Sequence, residues 1–292
     1  MKPNKSKAYK IITYIFLGLV AFTFLFPLYW IVTGAFKPAV DIFSTKPVLF
    51  PTEWVMDNFE NLLSKRSSPL FSIFGIEGPM APSAYRWLLN TVVMSVGAMV
   101  LTCLTASMAG YALAKKRFRG RHIIFGLIVC AMALPKQVIL IPLLKEMSAI
   151  GLYNTLWAVI CPTVGWPFGV FLMKQFSEGV PGEMLEAARI DGASEARTFF
   201  TVVMPLIKPG IGALAIFTFI NAWNDYFMQL VMLANNDIQT ISLGISTLMG
   251  ESSVDMGMLM AGAALAAAPI IVVFLIFQKY FTQGITMGAV KG

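Results

Sequence analysis

The chain has 292 residues, of which 57% are hydrophobic and 13% charged, and its mean hydropathy is +0.73. A soluble domain carries roughly 45–50% apolar and about 25% charged residues, so this composition excludes an ordinary soluble enzyme and, equally, a disordered chain. The net charge of +7 sits in short clusters beside apolar runs, a pattern of membrane topology rather than of nucleic-acid binding.

Cys103, Cys130 and Cys161 are too few for a disulfide framework, and in their apolar stretches they read as small packed thiols. With His122 the single histidine and no paired CxxC, no metal site is expected.

A bilayer core of roughly 30 Å takes about 20 apolar residues as a helix. Six runs meet that length: 11–36, 87–114, 122–144, 153–173, 211–234 and 256–278. They predict an all-α integral membrane protein, a single transmembrane domain over 1–292 with six transmembrane helices. The first run follows Lys2, Lys5, Lys7 and Lys10, as a signal peptide would. However, it continues to Phe36, well past an h-region of about 7–15 residues, and is read as a retained span.

The first connection, 37–85, holds Pro47, Pro51, Pro69 and Pro79, and 57–63 within it could form a short helix. Trp30, Trp54, Trp87 and Trp157 fall near span ends, where aromatic anchors are expected. The second connection is strongly basic, with Lys115, Lys116, Arg117, Arg119 and Arg121. The fifth, about 235–255, has no basic residue and carries Asp237, Glu251 and Asp255. Lysine and arginine mark the cytoplasmic side, so both termini are expected in the cytoplasm.

In the third span Lys136 is the one charge, and its preferred reading is snorkelling to the outer surface. Pro135 and Pro142 predict kinks around it. In the fourth, Gly165-Trp166-Pro167-Phe168-Gly169 interrupts the apolar run. The spacing of Gly165 and Gly169 permits close helix approach, and Trp166 is read as helix packing in preference to a stacking platform.

The fourth connection, 174–209, is the most informative. Pro181 suits a helix start, Glu183 and Glu186 lie toward the positive end of the helix dipole, and Gly192 can end the helix in the left-handed region. Ser194 can cap a second helix that runs out before Pro205. A short helix of this kind needs a partner to pack on. Docking into a protein groove is preferred to lying on the lipid surface, because surface helices usually carry a strongly basic face and this one is nearly balanced.

The fifth span contains Asn221, Trp223, Asn224, Asp225 and Gln229. Polar groups at membrane depth are costly and are functional candidates by default. Asn221, Asp225 and Gln229, spaced i, i+4, i+8, are expected on one helix face. They either line a solute path, with Trp223 as an aromatic neighbour, or hydrogen-bond between helices; the residue types alone leave both open.

The segment 186–206, EAARIDGASEARTFFTVVMPL, resembles the EAA motif of ATP-binding-cassette (ABC) importer permeases. Glu186, Ala187, Ala188, Gly192 and Pro205 match at the family spacing, while Val202 and Met204 replace the usual Ile and Leu. The tail QKYFTQGITMGAVKG (278–292), together with 134–144 and 219–227, is similar to the smaller, six-helix permease subunit of maltose-type carbohydrate importers.

The resemblance implies a type I ABC importer permease fold with a cytoplasmic coupling helix in the loop 174–209. Glu186, Ala187, Ala188, Asp191, Gly192 and Pro205 would then engage an ATPase subunit. The cytoplasmic tail 279–292, ending in Gly288, Ala289, Val290, Lys291 and Gly292, would reach the ATPases too. Also implied are a second related permease chain, two ATPase subunits that hold ATP and Mg, an extracytoplasmic solute-binding protein, a sugar as substrate, and a bacterial or archaeal plasma membrane.

This chain has no GxxxxGK[ST] loop, so no cofactor is expected on it. No catalytic constellation can be assembled either, which argues for a transport subunit rather than an enzyme. The alternative is a self-contained secondary carrier, which usually shows internal symmetry; none is evident here.

Overall fold

A computed structural model describes residues 7–64, 67–69, 72–73, 76–77, 79–250 and 254–289. The order begins with α1 (Lys7–Gly34), α2 (Ala39–Ile42) and α3 (Asp57–Ser64). Two short antiparallel pairs follow, β1 (Ser67–Pro69) with β4 (Met80–Pro82) and β2 (Ser72–Ile73) with β3 (Ile76–Glu77). Next come α4 (Ser83–Lys115), α5 (Arg121–Ala131), α6 (Lys136–Ala149), α7 (Trp157–Val164) and α8 (Pro167–Glu178). The polar connection forms α9 (Gly182–Ile190), α10 (Glu195–Thr198), a π-helical turn (Phe199–Val203) and α11 (Met204–Leu206). The chain closes with α12 (Lys208–Asn224), α13 (Tyr226–Met232), α14 (Ile241–Met249) and α15 (Met256–Ala289).

Among the described residues three helices, within α1, α4 and α15, are each long and apolar enough to cross a membrane, and counting each of three bent helix pairs as one span makes six. The spans expected at 122–144, 153–173 and 211–234 are thus not single rods. α5 and α6 meet at 108°, and α7 and α8 at 41°. Pro135 marks the first break, as expected. Pro142, by contrast, lies inside α6 without ending it. The third bent pair joins Glu195–Leu206 to α12 at 81°, across Ile207, and the run 211–234 is interrupted as well by the single residue Asp225, between α12 and α13.

At the centre, α4 packs against α8 and α12. The face of α4 that meets them is small: Ser95, Ala98, Thr102, Ala106, Ser107 and Gly110 are all buried. Small side chains let helix backbones approach, which suits packing where lipid removes the hydrophobic drive between helices. At Gly110 the approach is closest, since a Cβ there would lie 2.6 Å from the backbone of Met173 and Lys174. Gly169 serves the same purpose on α8, facing Ala106, Thr102 and Leu214. Gly165 meets no neighbouring helix.

α1 stands apart, none of its apolar window being buried within the chain. It touches α15, where Gly34 faces Met260. Cys130 and Cys161 are exposed on the bundle surface rather than packed, and only Cys103 is partly buried. Trp87 is not an interfacial anchor: it is buried against Gly244 of α14.

The two ends of the bundle differ. One carries Lys115, Lys116, Arg117, Arg119 and Arg121 together with α9 and α10; this is the basic end. At the far end, Asn58 donates to the carbonyls of Ala35 (3.0 Å) and Lys37 (2.9 Å). Lys37 is buried, donates to Val48 O at 2.6 Å and lies 3.9 Å over the Trp30 ring. Burial lowers its pKa, opposed by Asp41.

Candidate functional site

At the basic end, α9 starts after Pro181 with Glu183 in its first turn. It ends in a Schellman motif: Gly192 N–H donates to Arg189 O (3.1 Å) and Ala193 N–H to Ala188 O (2.9 Å). Gly192 has φ +72°, the left-handed region open to glycine. Ser194 then accepts from Arg197 N–H at 3.3 Å and opens α10. The second helix does not stop before Pro205. It passes through a π turn at 199–203 and continues to Leu206. Proline has no N–H to donate and crowds the carbonyl one turn back; the widened π turn relieves that crowding.

The EAA residues divide by direction. Ala188 is buried against the chain's own helices, whereas Glu186, Ala187, Asp191 and Gly192 are exposed. Ile190 is 86% exposed, with Met184 also open. Thus the nine-residue helix presents two acidic side chains, a basic one, a small one and two large apolar ones to the outside. Below it, Lys116 at the end of α4 ion-pairs with Glu195. Tyr111, Lys116, Arg189, Glu195 and Thr198 line a cleft of about 110 Å³ there. The hydrogen bond from Lys116 holds Glu195 below the usual carboxylate range. For Lys116, burial acts downward, but the bonds to Glu195 and Tyr111 prevail and raise it.

Toward the far half of the bundle, a cleft of about 410 Å³ is lined by Lys136, Gln137, Asn221, Asn224, Asp225 and Tyr226, among others. Asn221 and Asn224 spend their amide N–H groups on the carbonyls of Phe217 (3.1 Å) and Ile220 (3.0 Å). Each amide keeps its oxygen and one N–H beyond that bond. Lys136 Nζ lies 3.3 Å from Asp225 Oδ2.

The expected face of Asn221, Asp225 and Gln229 does not form, because the helix breaks at Asp225, whose φ of −77° and ψ of 67° are not helical. Asp225 Oδ1 instead accepts from Met228 N–H at 3.3 Å and begins α13. Asn221, Asn224 and Asp225 share the cleft, while Trp223 and Gln229 lie inside the bundle. Trp223 packs on Phe219. Gln229 donates to Ala222 O (2.9 Å) and accepts from Thr240 (2.5 Å).

Lys136, expected only to snorkel, has a partner on another span. The sequence held a signal for that pair, a lone cation in the third span and a lone anion in the fifth. Trp166 stands at the break between α7 and α8, packed on Phe168 at 4.9 Å. In the tail, α15 runs through Gly288 and Ala289, and Val290, Lys291 and Gly292 lie outside the described residues.

Residues 103–287 match the family described as binding-protein-dependent transport system inner membrane component. The chain is 34% identical over 277 residues to the arabinooligosaccharides transport system permease protein AraQ of Halalkalibacterium halodurans, covering 94% of each chain. It is 32% identical to the lactose transport system permease protein LacG of Rhizobium radiobacter, covering 96% of each. In fold it is similar to a subunit of a bacterial ABC transporter involved in the import of the acidic polysaccharide alginate. There the TM-score is 0.79 at 22% identity, over 96% of this chain and 100% of that one. Sequence over most of its length and fold agree: the chain belongs to the family of binding-protein-dependent transport system inner membrane components.

Proposed function

We propose that this chain is the transmembrane permease subunit of an ABC importer that moves a sugar or oligosaccharide across the plasma membrane, driven by ATP hydrolysis in separate subunits. The single observation that carries the reading is α9. It is a short helix fixed by its own caps, exposed on its outer face, in a chain of this family. Such a helix is marginal alone and suits a groove on a partner. Glu186, Ala187, Asp191 and Gly192 form its docking face and Ala188 seats it on the bundle, while Pro205, exposed in α11, lies on the ATPase side. Family membership sets aside the self-contained carrier.

The saccharide class is supported by relatives named for arabinooligosaccharides and for lactose. A cleft lined by Asn221, Asn224 and Asp225 offers both donors and acceptors to sugar hydroxyls, and we assign it to the solute path. The basic end supports a cytoplasmic position for both termini, where α9 would meet the ATPases and the tail 279–292 would reach toward them. ATP and Mg belong to two ATPase subunits, and the remaining partners are a second permease chain and an extracytoplasmic solute-binding protein. Gentle detergent purification of the tagged chain, with mass spectrometry of what co-elutes, tests this. An ATPase and a second permease are expected; recovery of the chain alone from native membranes would overturn the reading.

A further inference from the structure

We propose that Lys136 is a positioning residue of the transport cycle, its ion pair with Asp225 tying the break in the third span to the break in the fifth so that α6 and α13 move together. The proposal rests on family membership and not on the cleft touching solute, so either can fail alone.

Both charges stand at helix breaks. Lys136 is the first residue of α6, where the chain has just turned by 108° from α5. Asp225 is the one residue between α12 and α13. Nothing local favours Lys136 where it is. An ammonium in the first turn of a helix opposes the helix dipole, and α6 has no acidic residue in that turn. The compensating carboxylate comes from a residue 89 positions away, at 3.3 Å.

Asp225 divides its two oxygens between the breaks. Oδ1 accepts from Met228 N–H and so starts α13, while Oδ2 faces Lys136 at the start of α6. The break in the fourth span joins them: the Trp166 ring, between α7 and α8, has its centre 5.6 Å from the Lys136 ammonium. A single cation therefore lies beside three of the bundle's interruptions.

The pair is also accessible, the two side chains being 43% and 18% exposed. An ion pair sealed in the bundle would be fixed, whereas this one borders an open cleft and can separate. At membrane depth a separated lysine or aspartate is costly unless it finds another partner.

The test is a double-mutant cycle on the assembled importer, purified with its subunits and placed in lipid vesicles. The readout is ATP hydrolysis with and without the solute-binding protein, whose ratio measures coupling. Lys136→Gln and Asp225→Asn remove charge but keep size, and Asn keeps the cap at Met228. Each single change is expected to lower the ratio at least about threefold, within the range for contacting residues. The double variant is expected to be no worse than the worse single, and Lys136→Arg to keep the wild-type ratio.

Two single effects that multiply in the double variant would overturn the proposal, because the residues would then act independently. So would unchanged ratios in both singles, or a Lys136→Arg variant as impaired as Lys136→Gln. A merely structural role would lower complex yield without moving the ratio, and that result would also overturn it.

Discussion

Replacing Gly192 by valine separates docking geometry from folding. Gly192 holds φ +72° at the end of α9, and a Cβ added there meets nothing within 4 Å. Sterically the side chain has room, so the whole cost lies in the backbone. A non-glycine residue in the left-handed region costs roughly 1–2 kcal/mol, and a β-branched one is worse still. The capping bonds of Gly192 and Ala193 depend on that conformation. A loss of about 1–2 kcal/mol is a factor of roughly 5–30 in the population that keeps them. The position is exposed and the bundle core does not contact it, so membrane insertion and yield should be unchanged. Solute moved per ATP hydrolysed should fall by a similar factor in the reconstituted importer. Gly192→Asn is the control, since asparagine tolerates the left-handed region and should retain most coupling. The reasoning is refuted if Gly192→Val couples normally, or if Asn is as damaging as Val.

Three further predictions concern the scaffold. Gly110→Val would set a Cβ 2.6 Å from the Met173 and Lys174 backbone; this overpacking is expected to cost about 1–3 kcal/mol, read as lost yield and a lower Tm in detergent. Gln229→Ala leaves the Thr240 hydroxyl without its buried partner, a loss of about 1–3 kcal/mol. Tm should fall while solute range stays unchanged, because Gln229 lies off the cleft. The Lys116–Glu195 pair should be insensitive to pH through the neutral range. Glu195, held low, loses its contribution only as pH falls below the usual carboxylate range, and Lys116, held high, only as pH rises past the usual lysine value. Both are substantially exposed, so Glu195→Gln should cost at most about 1 kcal/mol, and a Tm series across pH with wild type and variant checks both points.

Much of this was legible in the residues. Uncharged runs gave the all-α membrane bundle, and the turn chemistry of Pro181, Gly192 and Ser194 gave the two short helices of the polar connection, because those residues act through their own backbone. What escaped was non-local. A spacing of i, i+4, i+8 assumes an unbroken helix, but Asp225 caps the next segment instead, as short acidic side chains can. That one break sent Gln229 into the bundle and freed Asp225 for Lys136. The pairing of Lys136 spans 89 positions, beyond any periodicity. Similarly, Trp87 matched an interfacial pattern, yet the decisive fact was a glycine on α14 that lets the ring in.

The most direct measurement is uptake of radiolabelled arabinooligosaccharide and lactose into proteoliposomes holding the complex that co-purifies with this chain, with the solute-binding protein outside and ATP inside. Accumulation of a saccharide only when ATP and all subunits are present is the expected result. Accumulation by this chain alone, without ATP, would contradict its assignment as the permease of an ATP-driven importer.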